Sequence, residues 1–466
     1  MSNKNECYLI QNYQLLLDQI PDGLKNLSYG IYPDNALYNN SRFIYNKRFN
    51  YFPIAIFYVK NESDIIYLIK NFVEHNLKFS IRCGGHAYEP ASLSENYIID
   101  VKNISYIKIN KKDKTVRIGS GVKLGDLITA ISKENLITVT GESSCVGISG
   151  LTLAGGKGPL TRMYGMACDN IIEVKLVNYE GNTITANKKV NSDLFWALKG
   201  AGICNFGIII EIKMKLYEDI YCKISTLTWN WEPAKVKEVL LLYNNVFINL
   251  SKEITTDVNI TYNNGTASFF IKFYIFGNNE FDELVKFKDL HAPTITNCSG
   301  FFSQITNCWV SYDTGKALPF SKMKSTMIFY TINTKTFEIY INSINKLLEL
   351  NYNLSFQYNF TQLGGQVLKG NSCYFPKKAS TTLTILMSWT YENLNSFSLN
   401  FIKKNYKKII KYTSKYLFPN MIDYDIKNYM DAYYGKNKKQ LIKIKNKYDP
   451  DNIFNWRQSI PNNIIV

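Results

Sequence analysis

Apolar and polar positions in the N-terminal part of the chain predict strands and helices in alternation. Residues 53–59 (PIAIFYV) form an apolar run typical of a buried strand. An amphipathic helix is predicted from about Glu62, with Asn61 as its N-cap and an apolar face of Ile65, Ile66, Leu68, Ile69, Phe72 and Val73. A second strand, Lys78 to Arg82, runs into Cys83-Gly84-Gly85-His86. The unit therefore ends in a glycine turn, where α/β folds commonly bind a ligand.

The pattern changes further along the chain. The predicted elements are short strands at 97–101 and 115–118, a helix from about Lys123, a strand from 171, a helix at Asp193 to Leu198 and a strand at Phe206 to Leu216. The most glycine-dense stretch, Gly141 to Gly165, interrupts them. From about 220 to 420 glycines are few, and strands alternate with amphipathic helices. That composition predicts a separate domain built on an antiparallel sheet.

One helix of this second region, predicted at 401–417, has lysines on one face and apolar residues on the other. The lysines are Lys403, Lys407, Lys411 and Lys415, and the opposite residues are Ile402, Tyr406, Ile409 and Ile410. A solvated face explains the lysines more simply than a polyanion site, because an amphipathic helix requires a polar side.

Charge and cysteine usage exclude some classes of protein. Lysine and arginine number 54 against 38 aspartate and glutamate, a formal net charge of +16, and a basic surface attracts polyanions. No apolar run approaches the roughly 18 residues of a membrane span, and the N-terminus lacks the features of a secretory signal, so we expect a cytoplasmic protein without a membrane segment. The nine cysteines are never spaced CxxC, so neither a disulfide framework nor a metal site is expected.

Two glycine segments carry the candidate chemistry. Gly84-Gly85-His86 and residues 147–158 (GISGLTLAGGKG) let the backbone approach a ligand closely, because glycine has no Cβ. Consecutive backbone N–H groups suit a pyrophosphate. Neither segment matches the P-loop or GxGxxG patterns, so ATP and nicotinamide lose support and a flavin remains.

Four ordered segments strengthen this interpretation. They are IRCGGHAYEPAS (81–92), VGISGLTLAGGKGPLTRMYGMACDNI (146–171), DLFWALKGAGICNFGIII (193–210) and YYGKNKKQLIKIKNKYDPDNIFNWRQSIP (433–461). Together they resemble the signature segments of berberine-bridge-enzyme-like FAD oxidases, which belong to the vanillyl-alcohol-oxidase and p-cresol-methylhydroxylase type of flavoprotein. The resemblance covers about residues 40–215 and 420–461.

The resemblance implies an α+β fold with two parts. A two-subdomain FAD-binding domain of the p-cresol-methylhydroxylase type would comprise residues 1–215 and a C-terminal segment, 421–466, that returns to it. Residues 216–420 would form the substrate domain, an antiparallel sheet covered by helices.

The resemblance also assigns site residues. His86 would bond covalently to the 8α-methyl group of the flavin, for which a neutral imidazole held by a rigid turn is well suited. The other residues expected around FAD are Arg82, Cys83, Gly84, Gly85, Ser143, Cys145, Val146, Gly147, Gly150, Gly155, Gly156, Gly158, Asp169, Asn170, Ile208 and Asn437.

The chain departs from the family at two points. Many relatives have a second flavin bond from a cysteine three residues before the position of Val146, but that position is Ser143, and Cys145 lies about 7 Å along an extended backbone. A single histidyl link is therefore expected, with Cys145 as the alternative second attachment. The family's polar or acidic catalytic positions fall at Met421, Thr361 or Gln362, and Thr384, none of which is an ordinary base.

Tyr424 remains as the matching second tyrosine of the family's YxNY segment and is the candidate catalytic residue. Val146 stands where family oxidases carry a small residue that lets oxygen reach the flavin, which favours an oxidase.

The sequence thus predicts an FAD-dependent oxidase that transfers hydride from an alcohol or sugar CH–OH to flavin N5, with O2 as acceptor and H2O2 as product. Its partners would be a small-molecule alcohol or sugar and O2. The alternative is a flavin-binding protein without turnover that serves a structural or polyanion-binding role, supported by the missing base and the +16 charge.

Overall fold

The computed structural model describes residues 13–312 and 320–462. Its strands are β1 (Gly30–Ile31), β2 (Ala55–Tyr58), β3 (Phe79–Arg82), β4 (Tyr97–Asp100), β5 (Ile107–Asn110), β6 (Thr115–Gly119), β7 (Leu136–Ile137), β8 (Ile171–Val177), β9 (Thr183–Asn187), β10 (Ile208–Lys215), β11 (Tyr217–Glu218), β12 (Tyr221–Trp229), β13 (Ile254–Asn263), β14 (Thr266–Phe276), β15 (Thr294–Phe301), β16 (Phe320–Ile328), β17 (Leu354–Gln362) and β18 (Thr381–Trp389).

The α-helices are α1 (Tyr38–Ser41), α2 (Glu62–Glu74), α3 (Leu124–Ser132), α4 (Ile148–Leu153), α5 (Thr161–Tyr164), α6 (Ser192–Ala201), α7 (Pro233–Val246), α8 (Leu284–Asp289), α9 (Phe302–Tyr312), α10 (Lys335–Leu350), α11 (Asn395–Ile409), α12 (Tyr429–Tyr434) and α13 (Lys438–Tyr448). Short 3₁₀ helices cover Asp22–Leu24, Ala167–Asn170, Phe247–Asn249, Gly365–Lys369, Glu392–Leu394 and Gly435–Asn437. Residues 1–12, on which the expected absence of a secretory signal rests, lie outside the described residues.

The first sheet carries the turn that leads to His86. Its order is β1-β2-β4-β3, and β2, β4 and β3 run parallel to one another. The predicted N-cap of α2 is confirmed, since the side chain of Asn61 accepts a hydrogen bond from the backbone N–H of Asp64. Leu68 and Phe72 of α2 are buried in the same hydrophobic cluster as strands β2 and β4. This packing fixes the direction in which β3 delivers the glycine turn.

A second sheet supports the other glycine segment. Its five strands have the order β5-β6-β10-β8-β9 and are antiparallel. The hydrophobic cluster below it includes Ile148 and Leu153 of α4, which lies inside the glycine-dense stretch. The glycine segment is therefore held from within by apolar side chains.

The third sheet has seven antiparallel strands in the order β15-β12-β14-β13-β17-β18-β16. Its two faces differ in character. On one face Phe356 and Tyr358 of β17 pack against rings of the covering helices, with Tyr358 4.7 Å from Tyr340 of α10 and Phe356 5.2 Å from Phe401 of α11. The alternate residues of the same strand, Gln357 and Asn359, point to the opposite face because side chains alternate along a strand. The predicted α+β fold with a helix-covered antiparallel sheet is thus confirmed.

One predicted boundary is wrong. The helix expected at 401–417 ends at Ile409, so Lys411 and Lys415 lie beyond it. The chain turns there because Leu417 and Phe418 are buried in the core, and Ser414 and Tyr416 make backbone hydrogen bonds with Met327 of β16. Lys403 and Lys407 are exposed, as the amphipathic pattern predicts. Among the described residues no helix combines the length and the apolar character that crossing a membrane requires.

The C-terminal helix α13 is fastened to the rest of the molecule by a fully buried lysine. The ammonium of Lys445 donates to the carbonyl oxygens of Asn205 and Phe454, both at 2.8 Å, and to Asp449 at 2.5 Å. Burial lowers the pKa of Lys445, and the carboxylate of Asp449 opposes that shift. The buried charges of Lys445 and Asp449 therefore balance each other only while both side chains are present.

Replacing Lys445 with methionine should destabilise the protein strongly. The substitution leaves the carboxylate of Asp449 buried without its cation, which typically costs roughly 3–5 kcal/mol. The urea midpoint of unfolding, followed by tryptophan fluorescence, measures the effect. Lys447→Met in the same helix is the matched control, because Lys447 is 60% exposed and its bond to Asp193 should contribute only a small fraction of that amount. Equal midpoints for the two variants would contradict the prediction.

Candidate functional site

A cavity with a volume of about 240 Å³ lies between the two glycine segments. One water molecule needs roughly 10–15 Å³ of such space, so the cavity is large enough for an extended organic ligand. Its walls come from four stretches of the chain, residues 81–92, 146–153, 202–209 and 420–422, together with Val101 and Ser120. The lining is mostly apolar, as is usual for sites that bind flat organic molecules.

The two glycine segments touch each other at Gly84 and Gly147. A Cβ atom on Gly84 would lie 2.4 Å from the backbone nitrogen of Gly147, and one on Gly147 would lie 2.3 Å from the sulfur of Cys83. Real Cβ contacts are never this short, so both positions require glycine. The contact brings the turn that carries His86 against the start of α4.

His86 lines the cavity and is held between aromatic rings. Its imidazole stacks on the ring of Tyr45, with the centroids 3.9 Å apart and an angle of 25° between the planes. The ring of Tyr88 meets it edge-on at 6.4 Å. The backbone N–H of Tyr45 also donates to the carbonyl of Gly85, a residue with a φ of +59°. The orientation of the imidazole is therefore set by its neighbours before any ligand binds.

Two serine hydroxyls in the cavity wall indicate that the site is built for a polar ligand. The Oγ atoms of Ser92 and Ser120 are buried, and neither has a hydrogen-bond partner within the part of the chain that the structure describes. A buried hydroxyl without a partner costs about 1–3 kcal/mol. A bound molecule with polar groups on an otherwise apolar body would satisfy both. FAD, whose flat ring system is joined to a ribityl chain and a pyrophosphate, fits this combination of an apolar lining, close glycine backbones and unpaired hydroxyls.

The structure brings together part of the predicted cofactor set. The predicted residues that line the cavity are Cys83, Gly84, Gly85, His86, Val146, Gly147 and Gly150. The sulfur of Cys83 lies 3.0 Å from the carbonyl oxygen of Ser120, and burial raises the pKa of this thiol to about 12. Cys83 therefore remains a protonated thiol in the wall of the cavity.

Other predicted residues lie in the supporting structure around the cavity. Arg82 is paired with the buried carboxylate of Asp100 at 2.5 Å. Asp169 and Asn170 stabilise their own turn, with Asp169 accepting from the backbone N–H of Met166 at 3.1 Å. Asn437 donates to the carbonyl of Cys373 at 3.0 Å, and Ile208 is buried in β10 between the cavity residues Gly207 and Ile209.

Gly155, Gly156 and Gly158 lie next to the cavity and shape the turn after α4. Gly155 and Gly156 have φ values of +132° and +73°, which favour glycine. The N–H of Gly156 donates to the side chain of Asn420 at 2.9 Å, and Asn420 lines the cavity. A Cβ on Gly158 would lie 2.0 Å from the carbonyl oxygen of Thr140. These three glycines therefore shape the loop after α4 and are not part of the cavity lining.

The remaining predicted residues flank the site. Ser143 Oγ lies 3.3 Å from Cys145 Sγ, in the loop that leads to Val146. Tyr424 lies two residues after the lining residue Ile422. The centroid of its ring is 6.4 Å from that of Trp456, and the guanidinium of Arg457 lies over the ring. Burial raises the pKa of Tyr424.

Several residues of the cavity wall were not predicted. Gly202, Ile203, Cys204 and Gly207 belong to the segment GAGICNFG, whose glycine turn was visible in the sequence. Ser92, Ser120 and Asn420 had no comparable signal. Asn420 joins the wall from the C-terminal part of the chain and also donates to the carbonyl of Leu151 at 2.8 Å.

The seven-stranded sheet presents polar side chains on the face opposite its helices. On this face Asp257 of β13 lies beside Lys272 of β14 and Thr361 of β17. Hydrogen bonds connect the face to the glycine-dense stretch. Lys157 donates to Thr361 Oγ1 at 2.5 Å, and the hydroxyl of Tyr274 donates to Glu142 at 2.9 Å. Because Val146 and Gly150 line the cavity on the same stretch, the polar face lies next to the cavity.

Comparison with known proteins agrees with this geometry. Residues 53–187 match the model of an FAD binding domain, and residues 417–461 match that of berberine and berberine-like proteins. The chain is 28% identical to the uncharacterized FAD-linked oxidoreductase YgaK of Bacillus subtilis, over 92% of this chain and 95% of that protein. It is also 28% identical to cannabidiolic acid synthase-like 2 of Cannabis sativa, over 83% of this chain and 80% of that protein.

A solved structure shows the same fold. The BBE-like 1 protein of Physcomitrella patens superposes with a TM-score of 0.84 at 24% identity, covering 93% of this chain and 97% of that one. Both matched models fall on the residues that build the cavity, since 53–187 contains His86 and Gly147 and 417–461 contains Asn420. The chain therefore carries an FAD binding domain and a berberine-like C-terminal segment, as its FAD-linked oxidoreductase relatives indicate, and is an enzyme.

Proposed function

We propose that the protein is an oxidase that converts a CH–OH group of an alcohol or sugar to the carbonyl, with O2 as electron acceptor and H2O2 as product. The observation that carries this proposal is a cavity in which His86 and two glycine backbones meet, next to a polar sheet face. Bound FAD supplies the redox chemistry, since it accepts hydride from carbon and returns the electrons to O2. In this proposal residues 1–215 and 421–466 hold FAD, and residues 216–420 face the substrate.

The chain's own residues have separate tasks in this proposal. The apolar wall excludes water, and Ser92 and Ser120 supply hydroxyls to polar groups of the cofactor. His86 forms a single covalent bond to the flavin through an imidazole nitrogen, while Tyr45 fixes the plane of the ring. The apolar side chain of Val146 stands at the cavity wall and leaves room for O2. A covalent bond would keep the flavin in place and raise its potential.

The covalent bond predicts that the flavin survives denaturation. In the wild-type protein, yellow colour should remain in the acid-precipitated pellet, and the intact mass should exceed that of the polypeptide by one FAD. In His86→Ala the flavin should appear in the supernatant. His75→Ala is the matched control, because His75 ends α2 at the surface and its Nδ1 contacts only the carbonyl of Asn71 among described atoms. Flavin retained by the His86→Ala pellet would contradict a single histidyl link and point to Cys145.

The contact between Gly84 and Gly147 predicts that one added methyl group at Gly147 lowers the flavin content of the protein. Gly147→Ala places a Cβ against the buried sulfur of Cys83 and the backbone of Gly84, so the two segments must separate. We expect a severalfold lower ratio of flavin absorbance to protein. Ser132→Ala is the control, since Ser132 ends α3 outside the cavity lining and its hydroxyl donates to the carbonyl of Thr129. Normal flavin content in Gly147→Ala would show that the cavity does not depend on this contact.

The oxidase activity is tested by measuring its two half-reactions separately, namely flavin reduction by the substrate and flavin reoxidation by O2. Anaerobic mixing with a panel of sugars and primary and secondary alcohols should bleach the flavin absorbance with at least one compound. Admitting O2 should restore the colour and release one H2O2 for each flavin reoxidised. A flavin-loaded protein that no compound bleaches would contradict the proposal. Reduction without reoxidation by O2 would show a dehydrogenase.

A further inference from the structure

On the polar face of the seven-stranded sheet, side chains of neighbouring strands are held in place by hydrogen bonds to one another. Amide side chains run across two strands, with Gln357 and Asn359 donating to the same oxygen of Asn259 at 2.5 and 3.0 Å. Gln357 and Asn359 are half-buried and Glu142 is exposed, so the face is open to solvent beside the cavity. Amide and hydroxyl groups of this kind suit a substrate rich in hydroxyl groups.

This face lacks a base at the positions where the family resemblance places one. Thr361 and Thr384 carry hydroxyls, which are essentially non-basic. The side chain of Gln362 points to the other side, where it donates to the carbonyl of Phe247 at 2.5 Å. Oxidation of an alcohol to a carbonyl releases the hydroxyl proton as well as a hydride, so another group must take that proton.

Lys157 is the basic side chain that reaches this surface from the cavity side. It directly follows Gly156, whose N–H is fixed by the cavity residue Asn420. The half-buried ammonium donates to Thr361 Oγ1, the one hydrogen bond it makes within the described residues, although it carries three donors. The ammonium also lies 6.0 Å from the centroid of the Phe418 ring. The amine therefore has capacity for a further partner.

Asp257 stands behind Lys157 on the sheet. It is only 6% exposed, and its Oδ1 has no hydrogen-bond partner within the described part of the chain. Its register position is directly across from Thr361, the residue that Lys157 contacts. A buried carboxylate in this position tunes the lysine electrostatically but is itself shielded from a substrate.

We propose that Lys157 accepts the proton of the substrate hydroxyl and that Asp257 is the positioning residue that sets when it can do so. The proposal rests on the oxidase function proposed above. In the step, the C–H bond breaks with transfer of hydride to bound FAD, the O–H proton passes to the neutral amine of Lys157, and the C–O bond becomes a carbonyl. The resulting ammonium is stabilised by Thr361 and by the carboxylate of Asp257.

The electrostatics of the cluster favour this role. Burial lowers the pKa of Lys157, and Asp257 and Glu142 oppose the shift. Burial raises the pKa of Asp257, Glu142 raises it further, and Lys157 and Lys272 lower it. Burial raises the pKa of Tyr243 and of Tyr274, and the charge of Asp257 raises both further. The pKa of Lys157 is thus lowered and that of Asp257 is raised. The neutral amine is therefore available at a lower pH than it would be for a solvated lysine.

The test compares the rate of anaerobic flavin reduction in Lys157→Arg and Lys157→Met with the wild type. Arginine keeps the charge and the bond to Thr361 but cannot lose its proton, so both variants should be slower by about 10²–10⁴-fold, the usual contribution of a general base. Lys223→Arg is the matched control, since Lys223 is an exposed lysine of the same sheet and should keep the wild-type rate and its rise with pH. Reduction of Lys157→Arg at the wild-type rate would overturn the proposal.

The pH profile separates the two residues. The rate should rise with pH as Lys157 loses its proton, and this rise should be absent in Lys157→Met. Asp257→Asn should keep turnover but move the rise to lower pH, because removing a negative neighbour lowers the pKa of the amine. Loss of turnover at every pH in Asp257→Asn, with normal rates in Lys157→Met, would transfer the role of base to Asp257 and overturn the assignment.

A measurement without substrate tests Lys157 even if no panel compound is oxidised. Because folding lowers the pKa of Lys157, the folded protein binds fewer protons than the unfolded chain, so its unfolding free energy should rise with pH up to the ordinary lysine range near 10.4. Urea unfolding at several pH values should show a steeper rise in the wild type than in Lys157→Met, because Lys445, whose pKa burial also lowers, contributes equally to both. Equal slopes would overturn the proposal. A protein with the expected slope that oxidises nothing would instead refute the oxidase function.

Discussion

The close approach of two glycine backbones, at Gly84 and Gly147, is the constraint on which the site depends. A Cβ at either position would overlap the other segment, so the turn after β3 and the start of α4 can meet only because both residues lack a side chain. This contact holds the turn that follows the parallel sheet against α4, and both glycines line the cavity. It also places the imidazole of His86 at the cavity wall, because His86 lies two residues after the contact.

A buried network of charges fixes the third side of the site. The ammonium of Lys322 on β16 bonds to two carboxylates. One belongs to Glu89, three residues after His86. The other belongs to Asp423, which directly follows the wall residue Ile422 and lies 2.8 Å from the ammonium. Burial alone would lower the pKa of Lys322, but Asp423 and Glu89 hold it above its ordinary value. Buried ion pairs contribute little net stability, yet removing one partner is costly. The network therefore serves to keep three distant segments in one arrangement.

The sequence predicted the features that depend on local pattern. The cap at Asn61, the strand that leads to Gly84, and the change to an antiparallel sheet all follow from short-range rules, and the structure has them. The end of α11 at Ile409 did not follow, because lysines and apolar residues continue the helical period while the buried side chain of Leu417 draws the chain away. Asn420 and Ser120 could not be found from sequence, since each enters the cavity wall through contacts between residues far apart in the chain.

The proposed base does not stand at the strand positions that the family resemblance selects. Thr361 and Thr384 are the positions that a linear resemblance selects, but the acid–base groups of this cleft meet through strand register and a turn. Asp257 becomes a neighbour of Thr361 only when β13 pairs with β17, and Lys157 reaches Thr361 from a turn in which Gly155 and Gly156 adopt positive φ values. One glycine-dense stretch therefore lines the cavity at Gly147 and Gly150 and, a few residues later, places Lys157 against the opposite sheet. In the proposed mechanism, cofactor binding and proton transfer both depend on this stretch of backbone.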